Sequence, residues 1–326
     1  MTRYEHIPVM AGECLSYLNI RRDGVYIDGT VGGAGHALRI LERLDGEGAV
    51  LIGIDRDEAA ASVSASRLKA RKEELGSGAR CEVVCSNHVD IDKICGELGV
   101  TAADGILLDL GISSYQLDET DRGFSYTNDS PLDMRMDRGM KLTAADIVNG
   151  YAERDLADLF YRYGEERWAA RIALFIAERR QAKPLRTTRE LADLVAAAIP
   201  KGARRGTGHP ARRVFQAIRI AVNDELGGLA DAIKKSVDLL RGGGRLVIIS
   251  FHSLEDRIVK NTFAELSAGC VCPKDFPVCV CGRAPQIRSL AKKPATPSAE
   301  ELRRNPRAKS AKLRAAEKLI PATGGK

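Results

Sequence analysis

Short apolar runs recur along the first third of the chain, and most of them end in an acid. Val25-Tyr-Ile27 runs into Asp28, Ala49-Val-Leu-Ile-Gly-Ile54 into Asp55, and Gly105-Ile-Leu-Leu108 into Asp109; Cys81-Glu-Val-Val-Cys85 lies between the last two. Helical patterns separate them, at His36–Leu44, at Glu58–Gly76 and around Ile91–Leu98. Strands alternating with helices predict a parallel α/β sheet, with strands at 24–28, 49–55, 81–85 and 105–109. The next buried strand is Arg245–Ser250, entered through Gly242-Gly-Gly244. One parallel crossover needs a helix and short loops, yet about 130 residues separate strands four and five. The spacing predicts an insertion.

The inserted stretch has helical periodicity. Tyr151–Tyr163 and Glu165–Arg180 place Leu156, Leu159, Phe160, Trp168, Ile172 and Phe175 at helical spacing. Thr187 and Thr188 open a helix over Arg189–Ile199, and Pro200–Pro210 reads as a flexible basic loop. Helices at Val214–Leu226 and Leu229–Leu240 then return the chain to the sheet. The expected division is a core of residues 1–116 and 214–281, a helical insert at 117–213, and a final edge strand with a basic tail at 282–326.

Residues 25–36, Val-Tyr-Ile-Asp-Gly-Thr-Val-Gly-Gly-Ala-Gly-His, carry the clearest chemistry. A glycine-dense turn between a strand and a helix lets backbone approach a ligand closely, and the following helix start offers free N–H groups. Asp55, at the tip of strand two, is placed to take ribose hydroxyls. A dinucleotide site wants G-x-G-x-x-G, because the pyrophosphate sits there. Here the spacing is G-x-x-G-G-x-G, and Asp28 precedes it. A carboxylate there repels a pyrophosphate but can pair with an ammonium group. S-adenosylmethionine carries an ammonium, a sulfonium and a ribose. Asp109, ending strand four, falls in the crevice at the strands' carboxyl ends. Asp109 and the Leu110 carbonyl could accept from an exocyclic amine, and Tyr115, Phe124 and Tyr126 are candidates to stack on an extracted base or to pack the insert.

Charge changes the picture of the partner. The net charge is +6, but residues 282–326 hold twelve Lys/Arg against three acids, and residues 179–213 hold ten against two. Two basic segments on an acidic body fit a polyanion; Lys201, Arg204, Arg205, Arg212 and Arg213, with the tail Arg303–Arg314, are the expected phosphate contacts. No apolar run approaches the roughly 20 residues that span a bilayer, and Met1–His6 has no secretory apolar region, so a cytoplasmic location is expected. Cys14, Cys81, Cys85 and Cys95 read as core residues. Cys270-Val-Cys272 and Cys279-Val-Cys281 could form a zinc knuckle, although C-x-C is tighter than the usual pairs; reduced surface thiols are the alternative, and no metal is assigned to the site.

Several long motifs together resemble the bacterial ribosomal RNA small-subunit methyltransferase H family, also called the MraW family. They are His6-Ile-Pro-Val9, the Asp28–His36 turn, Asp104–Ser114, Gly123-Phe-Ser through Pro131–Asp137, and His209–Leu226, with Ser250–Arg257 and Asn305–Arg314 extending the match. The resemblance implies a Rossmann-like class I S-adenosylmethionine methyltransferase sheet with an inserted helical domain. It implies methylation of the N4 amine of a decoding-centre cytidine in 16S ribosomal RNA, in the small ribosomal subunit or its precursor. Carried over position by position, the cofactor contacts are Ala34, Gly35, His36, Asp55, His88, Asp109 and Gln116, with Asp109 catalytic. Ala34 stands where relatives commonly carry glycine, and His88 where an aromatic is expected. The D-P-P-aromatic pattern of other amino-methylating enzymes is absent, with Asp109-Leu-Gly-Ile in its place. The competing readings are an NAD-dependent oxidoreductase and a non-catalytic RNA-binding module; the first lacks its glycine fingerprint, and the second leaves the cofactor turn unexplained. Whether the chain is a monomer or a homodimer stays open.

Overall fold

The computed structural model describes residues 8–320 except 114, 115, 118, 204–207, 270, 271, 274, 275, 277 and 279. The chain forms two compact units, one of residues 1–111 and 226–326 and the other of residues 112–225.

The first unit is a mixed α/β fold around a seven-stranded sheet. Its elements are α1 (Ala11–Leu18), β1 (Val25–Asp28), α2 (Gly35–Leu41), β2 (Val50–Asp55), α3 (Glu58–Leu75), β3 (Arg80–Cys85), α4 (Ile91–Glu97) and β4 (Ala103–Asp109). The sheet order is β3-β2-β1-β4, then β5 (Leu240–Ser250), β7 (Lys312–Lys318) and β6 (Ile287–Ser289). The first five strands pair in parallel, and β7 runs antiparallel to both neighbours. This is a Rossmann-like sheet, and its order reverses between β1 and β4. Ligand crevices in open α/β sheets lie at such switch points, beyond the strands' carboxyl ends.

Side-chain alternation sorts the strands' residues onto two faces. Tyr26, Leu51, Leu107, Val247 and Ile249 pack with Leu15, Leu18, Ile40, Leu41 and Leu68 of α1–α3. Ile27, Ile52, Ile106, Leu108 and Ile248 pack on the other face with Ile91, Ile94, Ile233 and Phe263. Both faces are covered, which is why β1, β2 and β4 read as apolar runs without polar alternation.

Three features go beyond the sequence reading or depart from it. Helix α1 carries no capping side chain: Met10 sits at its start with φ 51°, and its N–H donates to Glu301 Oε1 at 2.6 Å. The segment after residue 281 supplies the expected edge strand, β6, and adds a second strand, β7, where a basic tail was expected. Strand β7 lies between β5 and β6, and Arg314 and Lys312 both bind Asp256, at 2.7 and 3.0 Å. Residues 214–225, expected with the sheet, belong to the second unit.

That second unit holds α5 (Ala144–Gly150), α6 (Glu153–Gly164), α7 (Ala169–Ala182), α8 (Thr188–Ala198) and α9 (Arg212–Asn223). Phe160, Ile172, Ile176, Leu191, Val195, Phe215 and Ile218 form its core. Capping boxes at Thr143/Asp146 and Thr187/Glu190 set the starts of α5 and α8. The first unit resumes with α10 (Leu229–Leu239), α11 (Ser253–Ser267) and α12 (Ala299–Arg304). Among the described residues, no helix is long and apolar enough to cross a membrane.

Candidate active site

The turn after β1 is fastened on three sides. Gly29 N–H donates to Leu107 O at 2.9 Å, Val31 N–H to Ile54 O at 2.9 Å, and Gly32 N–H to Asp55 Oδ2 at 2.8 Å. From α3, the Ser64 hydroxyl donates to Gly32 O, and the Arg67 guanidinium to Gly33 O. A Cβ at Gly29 would stand 2.5 Å from Leu108 Cδ2, so a larger residue there would push the Leu108 side chain out of its packing. At Ala34, which begins α2, φ is +64°. That left-handed conformation costs an L-residue roughly 1–2 kcal/mol, so glycine would fit this position without that strain.

His36 and Asp109 meet at the switch point. His36 Nε2 is 3.5 Å from Asp109 Oδ2. Burial opposes charge on His36, yet Cys14 and Asp109 beside it outweigh burial and hold its pKa well above the ordinary value. Burial also raises the Cys14 thiol, which stays protonated at neutral pH, so Asp109 is the lasting partner. Asp109 Oδ1 is buried and has no hydrogen-bond partner among the described residues. Asp28 is 1% exposed. Its Oδ1 accepts from Thr30 N–H at 3.2 Å, and burial pushes its pKa up to about 7 against the pull of His36.

Asp55 accepts two backbone N–H groups, from Gly32 and from Asp57 at 2.9 Å. Burial raises its pKa and these bonds hold it back. His88 opens a single 3-10 turn, His88–Asp90, capped by Asn87. It lies beside Gly29, whose Cβ would stand 3.4 Å from His88 Cβ. Burial, with Arg56 adding to it, pushes His88 down to about 4, so its ring is neutral at physiological pH. Five acid and imidazole groups therefore gather in one unit: Asp28, His36, Asp55, His88 and Asp109.

A closely fastened glycine turn flanked by acids at three strand tips is the arrangement of a nucleoside-cofactor site, and the sequence agrees with it at family level. Residues 3–319 match the MraW methylase family. The chain belongs to that family. It is 53% identical over 317 residues to the ribosomal RNA small subunit methyltransferase H of Heliobacterium modesticaldum, covering 97% of this chain and 99% of the relative. The proteins of the same name from Acetivibrio thermocellus and Geobacter sulfurreducens are 54% and 52% identical, each over 97% of this chain and 99% of the relative.

The other expected site residues of this methylase fall as follows. Gln116 belongs to the second unit, where it is buried and its Oε1 accepts from Ser113 N–H at 3.1 Å. Phe124 is a core residue, 7% exposed, with the Arg122 guanidinium 5.9 Å from its ring. Tyr126 is half-buried. Tyr115, Arg204, Arg205, Cys270 and Cys279 lie outside the described residues. Arg213 donates to Glu165 O at 3.0 Å, and Arg304 pairs with Glu300 at 2.5 Å.

Several polar residues organise the second unit. Asn223 is 2% exposed; its Oδ1 accepts from Met136 N–H and its Nδ2 donates to Met134 O, both at 2.7 Å. Asp133 and Arg135 form a two-bond ion pair at 2.8 Å. Arg219 clasps Glu225 in the same way at 2.9 Å. Their signal was a cluster of acids, amides and arginines inside long motifs, which sequence alone does not sort into structural and chemical groups. In the first unit, His252 caps α11 in a box with Glu255.

Proposed function

We propose that this methylase transfers a methyl group from S-adenosylmethionine to the N4 amine of a decoding-centre cytidine in 16S ribosomal RNA. The substrate would be the small ribosomal subunit or its precursor in the cytoplasm. The names of the relatives support ribosomal RNA as the class of acceptor. The observation that carries the chemistry is Asp109 Oδ1, a buried acceptor with no partner among the described residues. A buried polar atom left without a partner is costly, and here it lies at the switch point of the sheet.

The residues fit the cofactor. A carboxylate offers about four acceptor positions, and Asp55 uses two on backbone N–H groups, so acceptors remain for ribose hydroxyls. Asp28 can charge fully beside an ammonium. The neutral ring of His88 suits an adenine face. Ala34, Gly35 and His36 would line the turn. When bound, S-adenosylmethionine supplies an electrophilic methyl group. The lone pair of a cytosine amine is delocalised into its ring, which makes the nitrogen a poor nucleophile. Asp109 Oδ1 and the Leu110 carbonyl would accept its N–H groups and favour a geometry in which the lone pair faces the methyl. His36, whose Nε2 is 3.5 Å from Asp109 Oδ2, would hold the carboxylate in place. The deciding experiment is mass mapping of 16S RNA from cells with and without this protein. Loss of one N4-methyl mark at a decoding-centre cytidine is expected; an unchanged RNA overturns the proposal.

A further inference from the structure

In the second unit, Tyr126 and His209 stack with ring centres 4.7 Å apart and planes 16° apart. Phe215 packs edge-on against Tyr126, at 5.7 Å and 86°. Tyr126 is half-buried and His209 is exposed, so the stack rises from the helical core and ends in the imidazole. His209 is also held from its other side, because its Nδ1 accepts Ala211 N–H at 3.2 Å. That bond places the proton of the neutral ring on Nε2 and fixes the ring's rotation.

We infer that His209, backed by Tyr126, is a stacking platform for an unpaired base of the RNA substrate. The inference rests on the RNA-methylase reading above and names a contact within it. Aromatic faces beside cationic side chains are the common means of gripping single-stranded nucleic acid. The chain around His209 has that charge, with ten Lys/Arg against two acids over residues 179–213. Lys201, Arg212 and Arg213 in the same segment are exposed. A ring already fixed by a stack and a hydrogen bond loses little freedom when a base settles on it. Stacking is tolerant of base identity, so His209 would add affinity for a splayed strand, and sequence choice would lie elsewhere.

The test uses full-length protein and a fluorescent single-stranded 16S RNA fragment containing the substrate cytidine. His209→Ala should bind it roughly ten- to a hundredfold more weakly, the range expected for one lost base stack. His209→Phe should keep most of the affinity, because it keeps the aromatic face. The slope of affinity against salt should change in neither variant, since no phosphate contact is removed. Affinity for S-adenosylmethionine, measured by calorimetry, should stay at the wild-type value and shows that the fold is intact. Wild-type protein should also discriminate against fragments carrying single abasic sites, with one position dominating, and that preference should vanish in His209→Ala. Equal binding by wild type and His209→Ala overturns the inference, as does equal loss in the Ala and Phe variants. If wild-type protein transfers no methyl group to small ribosomal subunits from cells that lack it, the functional reading itself fails, which separates the two outcomes.

Discussion

The Thr30 hydroxyl accepts the backbone N–H of Asp109 at 2.6 Å, tying the glycine turn after β1 to the end of β4. One side chain thereby sets the distance between the proposed cofactor turn and the proposed catalytic carboxylate. Thr30→Val keeps the shape and removes the acceptor, at a cost of about 1–3 kcal/mol for the unpaired N–H. Stability should fall by that amount in denaturant titration. The methylation rate should fall further than cofactor affinity, and Thr30→Ser should restore both.

Ala34 holds φ +64° with no exposed surface. Glycine relieves the left-handed strain of roughly 1–2 kcal/mol but adds freedom to the unfolded chain worth about 0.4–1 kcal/mol. Ala34→Gly should therefore be neutral to slightly stabilising, with cofactor affinity retained. Ala34→Val should destabilise clearly, since a branched side chain fits neither the conformation nor the space. Equal melting temperatures for the three proteins would contradict this account of the turn.

Asp55 has two duties, because its oxygens hold Gly32 and Asp57 before any ligand arrives. Asp55→Ala should weaken S-adenosylmethionine binding roughly ten- to a hundredfold, as expected for lost charge-assisted hydrogen bonds of about 1.5–3 kcal/mol. It should also lower the melting temperature of the ligand-free protein. Unchanged calorimetric affinity would remove Asp55 from the site, whatever happened to stability.

Asp28 titrates near 7 in the folded chain against an ordinary value of 3.8. A raised carboxyl pKa means that the folded state holds its proton more tightly. The contribution of Asp28 to stability is therefore full below about pH 4 and is lost as pH rises through 7. In Asp28→Asn the ligand-free protein should lose less stability between pH 4 and 7 than wild type does. A cationic ligand beside Asp28 favours its charged form, so cofactor binding at pH 7 should release protons. Calorimetry in two buffers of different ionisation enthalpy reads that release, and Asp28→Asn should reduce it.

The strands and the turn were legible because their signals are local. β1, β2 and β4 are apolar runs ending in Asp28, Asp55 and Asp109, and the glycines between residues 29 and 35 announce a close backbone approach. What lay beyond reading was set by distant partners. Helix α1 lacks a capping side chain, and the N–H of Met10 just before it is met by Glu301, 291 positions away. β7 was hidden because Lys312, Arg314 and Lys318 read as a basic tail until Asp256 supplies the counter-charge to the first two and the Val237 carbonyl accepts from the third. Asp28 looked like a charged group, and only its complete burial shows that it is half-protonated near neutrality. Nothing local in the sequence tells that Asn223 bridges the backbone of Met134 and Met136. The boundary of the second unit moved because α9 carries Val214, Phe215 and Ile218 into the helical core.

The central claim is that Asp109 acts on the acceptor amine at a site that draws its methyl group from S-adenosylmethionine. It is tested most directly by single-turnover transfer of labelled methyl to 16S RNA, followed by nucleoside mass analysis. Wild-type protein should yield N4-methylcytidine at one position. Asp109→Ala should bind the RNA within a few-fold of wild type and slow transfer by at least a hundredfold, in line with the roughly 10²–10³ lost when one preorganised transition-state contact is removed. Transfer by Asp109→Ala within a few-fold of the wild-type rate, or label found on another atom of the RNA, would contradict the account.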